Sequence, residues 1–356
     1  MRETKARKFT LILFLALLPV MIGAVLVGPV FISPSKLMEF LVGWLRLGNY
    51  ALDPISIQQE GVIFSAIRFP RVVLAALVGI CLASCGAVMQ GLFRNPLADP
   101  SLIGVSSGAS AGAGLVIVFG GAWIHGGSWL GLTFVAFGAC MGGALAVLLV
   151  YRLSTSSTGT SVPTMLLVGI AVSASAGALN GIFSFIADNE MLRRMSLWQM
   201  GNLDAANWPR VAIAGCAVVL LIFSLPKQSR ALNALLLGES EARYLGVDVE
   251  RVKQRIIFLT AIGVGISVAV AGMISFVGLV VPHLMRMMIG PDHRYLIPSS
   301  AIAGAILLVI ADSFARVVVA PAELPAGILT ALLGVPFFFW LLTKNHHRAM
   351  RQQSCP

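Results

Sequence analysis

A chain of 356 residues that is 58% apolar and only 11% charged does not read as soluble domains, in which about a quarter of residues carry charge. On so apolar a chain, a net charge of +10 points to orientation in a bilayer and contact with anionic membrane lipid, and no nucleic-acid partner is expected. No G-x-x-x-x-G-K-[ST] or H-E-x-x-H occurs, so neither a phosphate-cradling loop nor a zinc-hydrolase helix supports an enzyme reading. Cys81 and Cys85, one helical turn apart and without histidine partners, read as packing residues, and neither a metal site nor a permanently bound cofactor is expected.

About 20 consecutive apolar residues cross a bilayer as a helix. Runs this continuous lack the alternation of a barrel strand, so the fold class is all-α: a polytopic membrane protein, one transmembrane domain over residues 1–356, with about ten transmembrane helices. The first span, 9–30, follows a basic start (Arg2, Lys5, Arg7, Lys8); no small-x-small cleavage site ends it, so it reads as a retained helix rather than a signal peptide. Next come 62–89, 101–119, 129–151, 163–187 and 210–225, then 256–275, 277–290, 296–318 and 325–343. The eighth is too short to span alone as a regular helix. An even count puts both termini on one face. The larger share of the 25 Lys and Arg falls on that face, which the positive-inside rule makes cytoplasmic.

Five stretches break the apolar pattern: RFPR at 68–71, GAVMQGLFRNPLADPSLIGVSSGA at 86–109, LGESEARYLGV at 237–247, ISFVGLVVPHLMR at 274–286 and ELPAGILTALLGVPFF at 323–338. Asn95-Pro96 ends a helix, and Asp99 caps the next one with Pro100 and Ser101 in its first turn. Gly104, Ser106, Ser107, Gly108, Ser110, Gly112 and Gly114 then form a small-residue stripe that allows close helix approach. The corner is either purely structural or a packed element beside a pathway. Stretch 232–252 reads as two short amphipathic helices around Gly238, either an interfacial loop or a docking element; Leu232, Leu235 and Leu236, then Ala242 and Leu245, form its apolar faces.

Together these stretches resemble the FecCD-type permease family of type II ABC importers, which take up iron-siderophores, haem and cobalamin, over about 68–342. The resemblance implies a cobalamin-importer-permease-like fold of ten helices working as a homodimer, with two ATPase subunits below and a periplasmic binding protein above. It implies a bacterial inner-membrane location and ATP bound and hydrolysed on another chain. It further implies coupling helices at about 232–252, with Leu237, Gly238, Glu239, Ala242 and Gly246 set in a groove of the ATPase subunit. Arg68, Arg71 and Arg316, which alone read equally as snorkelling interfacial arginines, would face acidic residues of the binding protein. The loop at 154–164 would close the pathway, with Ser161 and Thr164 as gate residues.

Three expectations remain. His283 after Pro282 is either a gate residue or a histidine that satisfies backbone groups. Asp312 either pairs with Arg316 at i, i+4 or marks the rival function, an ion-coupled secondary carrier. The segment DNEMLRRMSLWQMGNL at 188–203 offers Met191, Met195 and Trp198 to a flat porphyrin and Arg193 and Arg194 to its carboxylates. It resembles the haem branch of the family, which implies haem as cargo and a periplasmic haem-binding protein as partner; a ferric siderophore or cobalamin is the alternative. The bland reading of the segment is an interfacial helix whose Met and Trp simply pack.

Overall fold

The computed structural model describes residues 2–28, 61–120, 129–157, 159–320 and 322–353. Each predicted span carries one α-helix: α1 (Arg2–Leu26), α2 (Phe69–Leu92, continuing a π-helical stretch over Ile63–Arg68), α3 (Val105–Phe119), α4 (Trp129–Ser154) and α5 (Val162–Ile186), then α7 (Trp208–Ser224), α10 (Val249–Ala271), α11 (Val277–Ile289), α12 (His293–Ala315) and α13 (Ala326–Gln353). Three short helices lie between them: α6 (Asn189–Gln199), α8 (Ser229–Leu235) and α9 (Glu239–Tyr244). The last residues of the predicted first span, Pro29 and Val30, lie outside the described residues.

Differences in length have local causes. The helix at 101–119 starts only at Val105, because a 3-10 turn over Pro100–Ile103 ends at Gly104 with φ +77°. Asp99 caps that turn as expected, accepting from the Ser101 N–H at 2.8 Å. α10 begins seven residues before its apolar run: Asp248 accepts from the Arg251 N–H at 3.1 Å, and the charged first turns stay helical beyond the apolar window. Among the described residues, seven helices are long and apolar enough to cross a membrane, and α3, α11 and the apolar part of α13 are shorter. At 1.5 Å per residue, α11 covers only about 20 Å of a roughly 30 Å core.

α2 is the centre. It packs on α12, α11, α10 and α7, and all but a few of its residues are buried. Close approach is built from glycine: a Cβ on Gly86 would run into the backbone carbonyl of Gly278 in α11. Gln90, fully buried, donates to the Leu279 carbonyl at 3.0 Å and ties the same two helices. The small-residue stripe of α3 meets α4 in the same way, with Gly112 against the Gly138 carbonyl. α5 rests on this pair and leaves most of its surface uncovered.

Candidate transport pathway and coupling sites

At one end of the bundle, Leu232 and Leu235 anchor α8 in the core, and Ala242, fully buried, anchors α9. Ala242 is therefore a packing residue and not, as expected, part of a surface offered to a partner groove; a six-residue helix needs one side held by the bundle. Leu237 is exposed as expected, at 68%, and Tyr244 and Leu245 stand beside it at 92% and 64%. Sequence reasoning passed over Tyr244, although an aromatic in so charged a stretch is a signal. Gly238 is buried at φ +135°, a turn that only glycine adopts without strain, and Gly246 turns the chain into α10 at φ +80°. Glu239 is part-buried and salt-bridged to Lys253 at 2.8 Å.

The loop after α4 is a minimal hairpin, β1 (Thr155–Ser156) pairing antiparallel with β2 (Gly159–Thr160). Ser161 follows directly as the N-cap of α5: its hydroxyl accepts from the Thr164 N–H at 3.4 Å and from the Thr164 hydroxyl at 2.9 Å. α5 then presents Leu167, Ile170 and Phe185 outward at 68%, 61% and 90%, together with an exposed Gly177-x-x-x-Gly181 pair on which a Cβ would point into open space.

Between the 3-10 turn, α3, α5 and the start of α11 lies a cavity of about 520 Å³. That is within the usual size range of small-molecule sites. Asp99, Ser106, Ser107 and Ser173 supply polar atoms to it, and Ile170 and Phe276 supply apolar surface. Ser107 donates to Ser173 at 3.0 Å, joining α3 to α5. The wall between α10 and α11 is held by Phe276 at φ +66°, a strained conformation for a non-glycine residue.

At the opposite end the three predicted docking arginines cluster, but none is a surface charge. Arg68, Arg71 and Arg316 are exposed by only 4%, 4% and 2%. Arg71 pairs with Asp312 at 2.9 Å, Asp204 at 3.0 Å and Glu323 at 2.6 Å. Arg316 pairs with Asp312 at 3.2 Å and donates to the Ala24 carbonyl at 2.8 Å, while Arg68 donates to the Val25 carbonyl at 3.0 Å. The expected exposure is thus corrected: buried guanidiniums require partners, and the end of α1 and the loops carrying Asp204 and Glu323 supply them. At Asp204 desolvation pushes the carboxyl up; at Glu323 desolvation acts the same way, but the hydrogen bond and charge of Arg71 outweigh it and hold the carboxyl low. Asp312 is engaged by two guanidiniums and lies at the end of the bundle, so the secondary-carrier reading loses its one carboxylate.

Two further expectations change. Met195 is buried, and Met191 and Trp198 pack against the core, because their i, i+4, i+7 spacing is the inner stripe of α6. Arg193 faces out, and Arg194 bonds to Glu190 one turn back. The segment therefore packs and does not offer its thioethers to a cargo. His283 is 8% exposed; its Nδ1 lies 3.3 Å from the Pro96 carbonyl and its ring meets Phe337 edge-on, which makes it a satisfied structural histidine rather than a gate.

Among the described residues, seven long and three shorter apolar helices form the bundle, with the short pair α8 and α9 at one end. The sequence profile of the FecCD transport family matches residues 12–344. The chain belongs to that family. The permease is 46% identical over 282 residues to the hemin transport system permease protein HmuU of Yersinia pestis, covering 79% of this chain and 83% of that one. It is 42% identical over 289 residues to the cobalamin import system permease protein BtuC of Halobacterium salinarum, covering 81% and 75%. Its fold matches a solved inward-facing conformation of a metal-chelate type ABC transporter, with a TM-score of 0.79 and 32% identity over 95% of this chain and 99% of that one. The permease is thus the multi-pass transmembrane subunit of an ABC importer. Permeases of this kind work with a substrate-binding protein, and separate ATPase subunits hydrolyse the ATP.

Proposed function

We propose that the permease carries haem from the periplasm to the cytoplasm across a bacterial inner membrane. The observation that carries this reading is the 46% identity to a hemin permease, against 42% and 37% for cobalamin permeases of comparable coverage. The cobalamin relatives give cobalamin import as the second reading. In either case the working unit is a homodimer, for which the exposed small-residue face of α5 is the support: glycines four apart let two helices approach in lipid. The cavity beside α5 then borders the path, and Ser161 and Thr164, at the start of α5, sit where a gate would act.

Leu237, Tyr244 and Leu245 form the apolar patch that seats the ATPase subunit, which makes that end cytoplasmic. α1 begins beside α8, since Glu3 and Asn233 line one crevice, and α13 ends on the same side, so both termini are cytoplasmic. A periplasmic haem-binding protein docks at the arginine end, where its carboxylates would compete with Glu323 and Asp204 for Arg71. The test is uptake by vesicles holding the permease, its ATPase and its binding protein. ATP should drive accumulation of haem. Accumulation of cyanocobalamin or a ferric hydroxamate in its place would overturn the haem reading.

A further inference from the structure

One buried cation lies where the coupling helices, the hairpin and α10 meet. Lys253 is 3% exposed, four residues into α10. Its ammonium has three N–H groups and three acceptors. It donates to the Thr160 carbonyl at 2.7 Å, to Glu239 at 2.8 Å and to Glu250 at 3.3 Å. The other oxygen of Glu250 accepts from the Thr160 N–H at 2.9 Å, so both backbone groups of Thr160 are held by this one pair. The fit is tight, since a Cβ on Gly159 would come within 2.6 Å of the Glu250 carboxylate.

Neither neighbour could hold its place unaided. A hairpin with two residues per strand is marginal by itself, and so is a six-residue helix. Lys253 joins them: Glu239 is the first residue of α9, and Thr160 directly precedes the N-cap of α5. From the coupling helix to the start of α5 the route is therefore one carboxylate, one ammonium and one peptide carbonyl.

We propose that Lys253 is a positioning residue that makes the coupling helix and the gate hairpin move as one body, so that displacement of α9 by the ATPase reaches α5. The inference rests on the reading of α8 and α9 as the ATPase seat. Removing the ammonium leaves the Thr160 carbonyl unpaired and two carboxylates without their cation, and the hairpin then moves independently of α9.

The test uses the assembled transporter in vesicles, with Lys253→Met, Glu239→Gln, the double variant and Lys253→Arg. The cargo measured is whichever of haem, cyanocobalamin or a ferric hydroxamate the unaltered transporter accumulates. Each single variant is expected to hydrolyse ATP, with uptake per ATP falling at least about fivefold, the low end of a coupling between sites. The double variant should be no worse than the worse single, because the pair acts as a unit. Lys253→Arg should recover part of the loss, which a simple packing defect would not allow. A second readout needs neither cargo nor ATPase: spin labels at Ser157 and Arg243 of the permease alone. Their distance should be single-valued in the unaltered chain and broad in Lys253→Met. Unchanged uptake per ATP, multiplying losses in the double variant, or identical label distributions would overturn the proposal. Should Lys253→Met fail to assemble, Glu239→Gln carries the same expectations. Loss of the ATPase seat itself would appear separately, as normal assembly in Leu237→Asp.

Discussion

α2 and α5 are apolar helices of almost the same length, yet their most apolar windows are 83% and 17% buried. The hydropathy that reveals both helices says nothing of this difference. Glycine shows it once the neighbours are known: a Cβ on Gly86 of α2 would strike a backbone carbonyl, whereas a Cβ on Gly177 or Gly181 of α5 would point into open space. α2 spends its small residues inside the protomer, while α5 packs Gly169 against the Leu102 carbonyl and leaves Gly177 and Gly181 exposed. The packed part of the permease is therefore α2 with α12, α11 and α10, and under the proposed function the working surface is α5 with the cavity and hairpin beside it.

The strongest way to break this contrast is to place one bulky side chain on each helix. Gly86→Leu forces α2 and α11 apart and should abolish folded protomer in size-exclusion chromatography from detergent. Gly177→Leu should leave the protomer's melting temperature unchanged and abolish transport. Equal melting losses in the two variants would erase the distinction. Next in size is the ion cluster on the packed side: Arg71→Ala leaves Asp312 and Glu323 without a shared cation and should cost about 3–5 kcal/mol of stability in an unfolding titration. On the working side, Leu237→Asp with Tyr244→Ala should weaken ATPase binding by about 2 kcal/mol, roughly 30-fold, in pull-down titrations, with insertion unchanged. Arg194→Glu, which breaks a surface pair with Glu190, should change stability by less than about 1 kcal/mol and haem uptake by little.

The same contrast explains what was legible in the sequence. The helices were, because bilayer thickness sets a length that composition reveals, and the corner at Asp99–Pro100 was, because its signals are local. The partners of Arg71 were not: Asp204 and Glu323 lie in loops more than a hundred residues away, and only the fold brings them to α2. Met191, Met195 and Trp198 fitted a porphyrin and a packing stripe equally well on paper, and burial decides for packing. Lys253 was overlooked because a lysine in the first turns of a membrane helix normally points to water, whereas here hairpin and coupling helix close over it.

The most direct measurement is crosslinking along α5. In a chain with Cys140, Cys216 and Cys355 changed to Ala, single cysteines replace Ser161, Thr164, Gly177 and Gly181 in turn. If α5 is the working surface, the last two positions crosslink copy to copy in every nucleotide state, and the first two do so in one state only. Absence of a copy-to-copy crosslink at all four positions, with transport intact, would contradict the account.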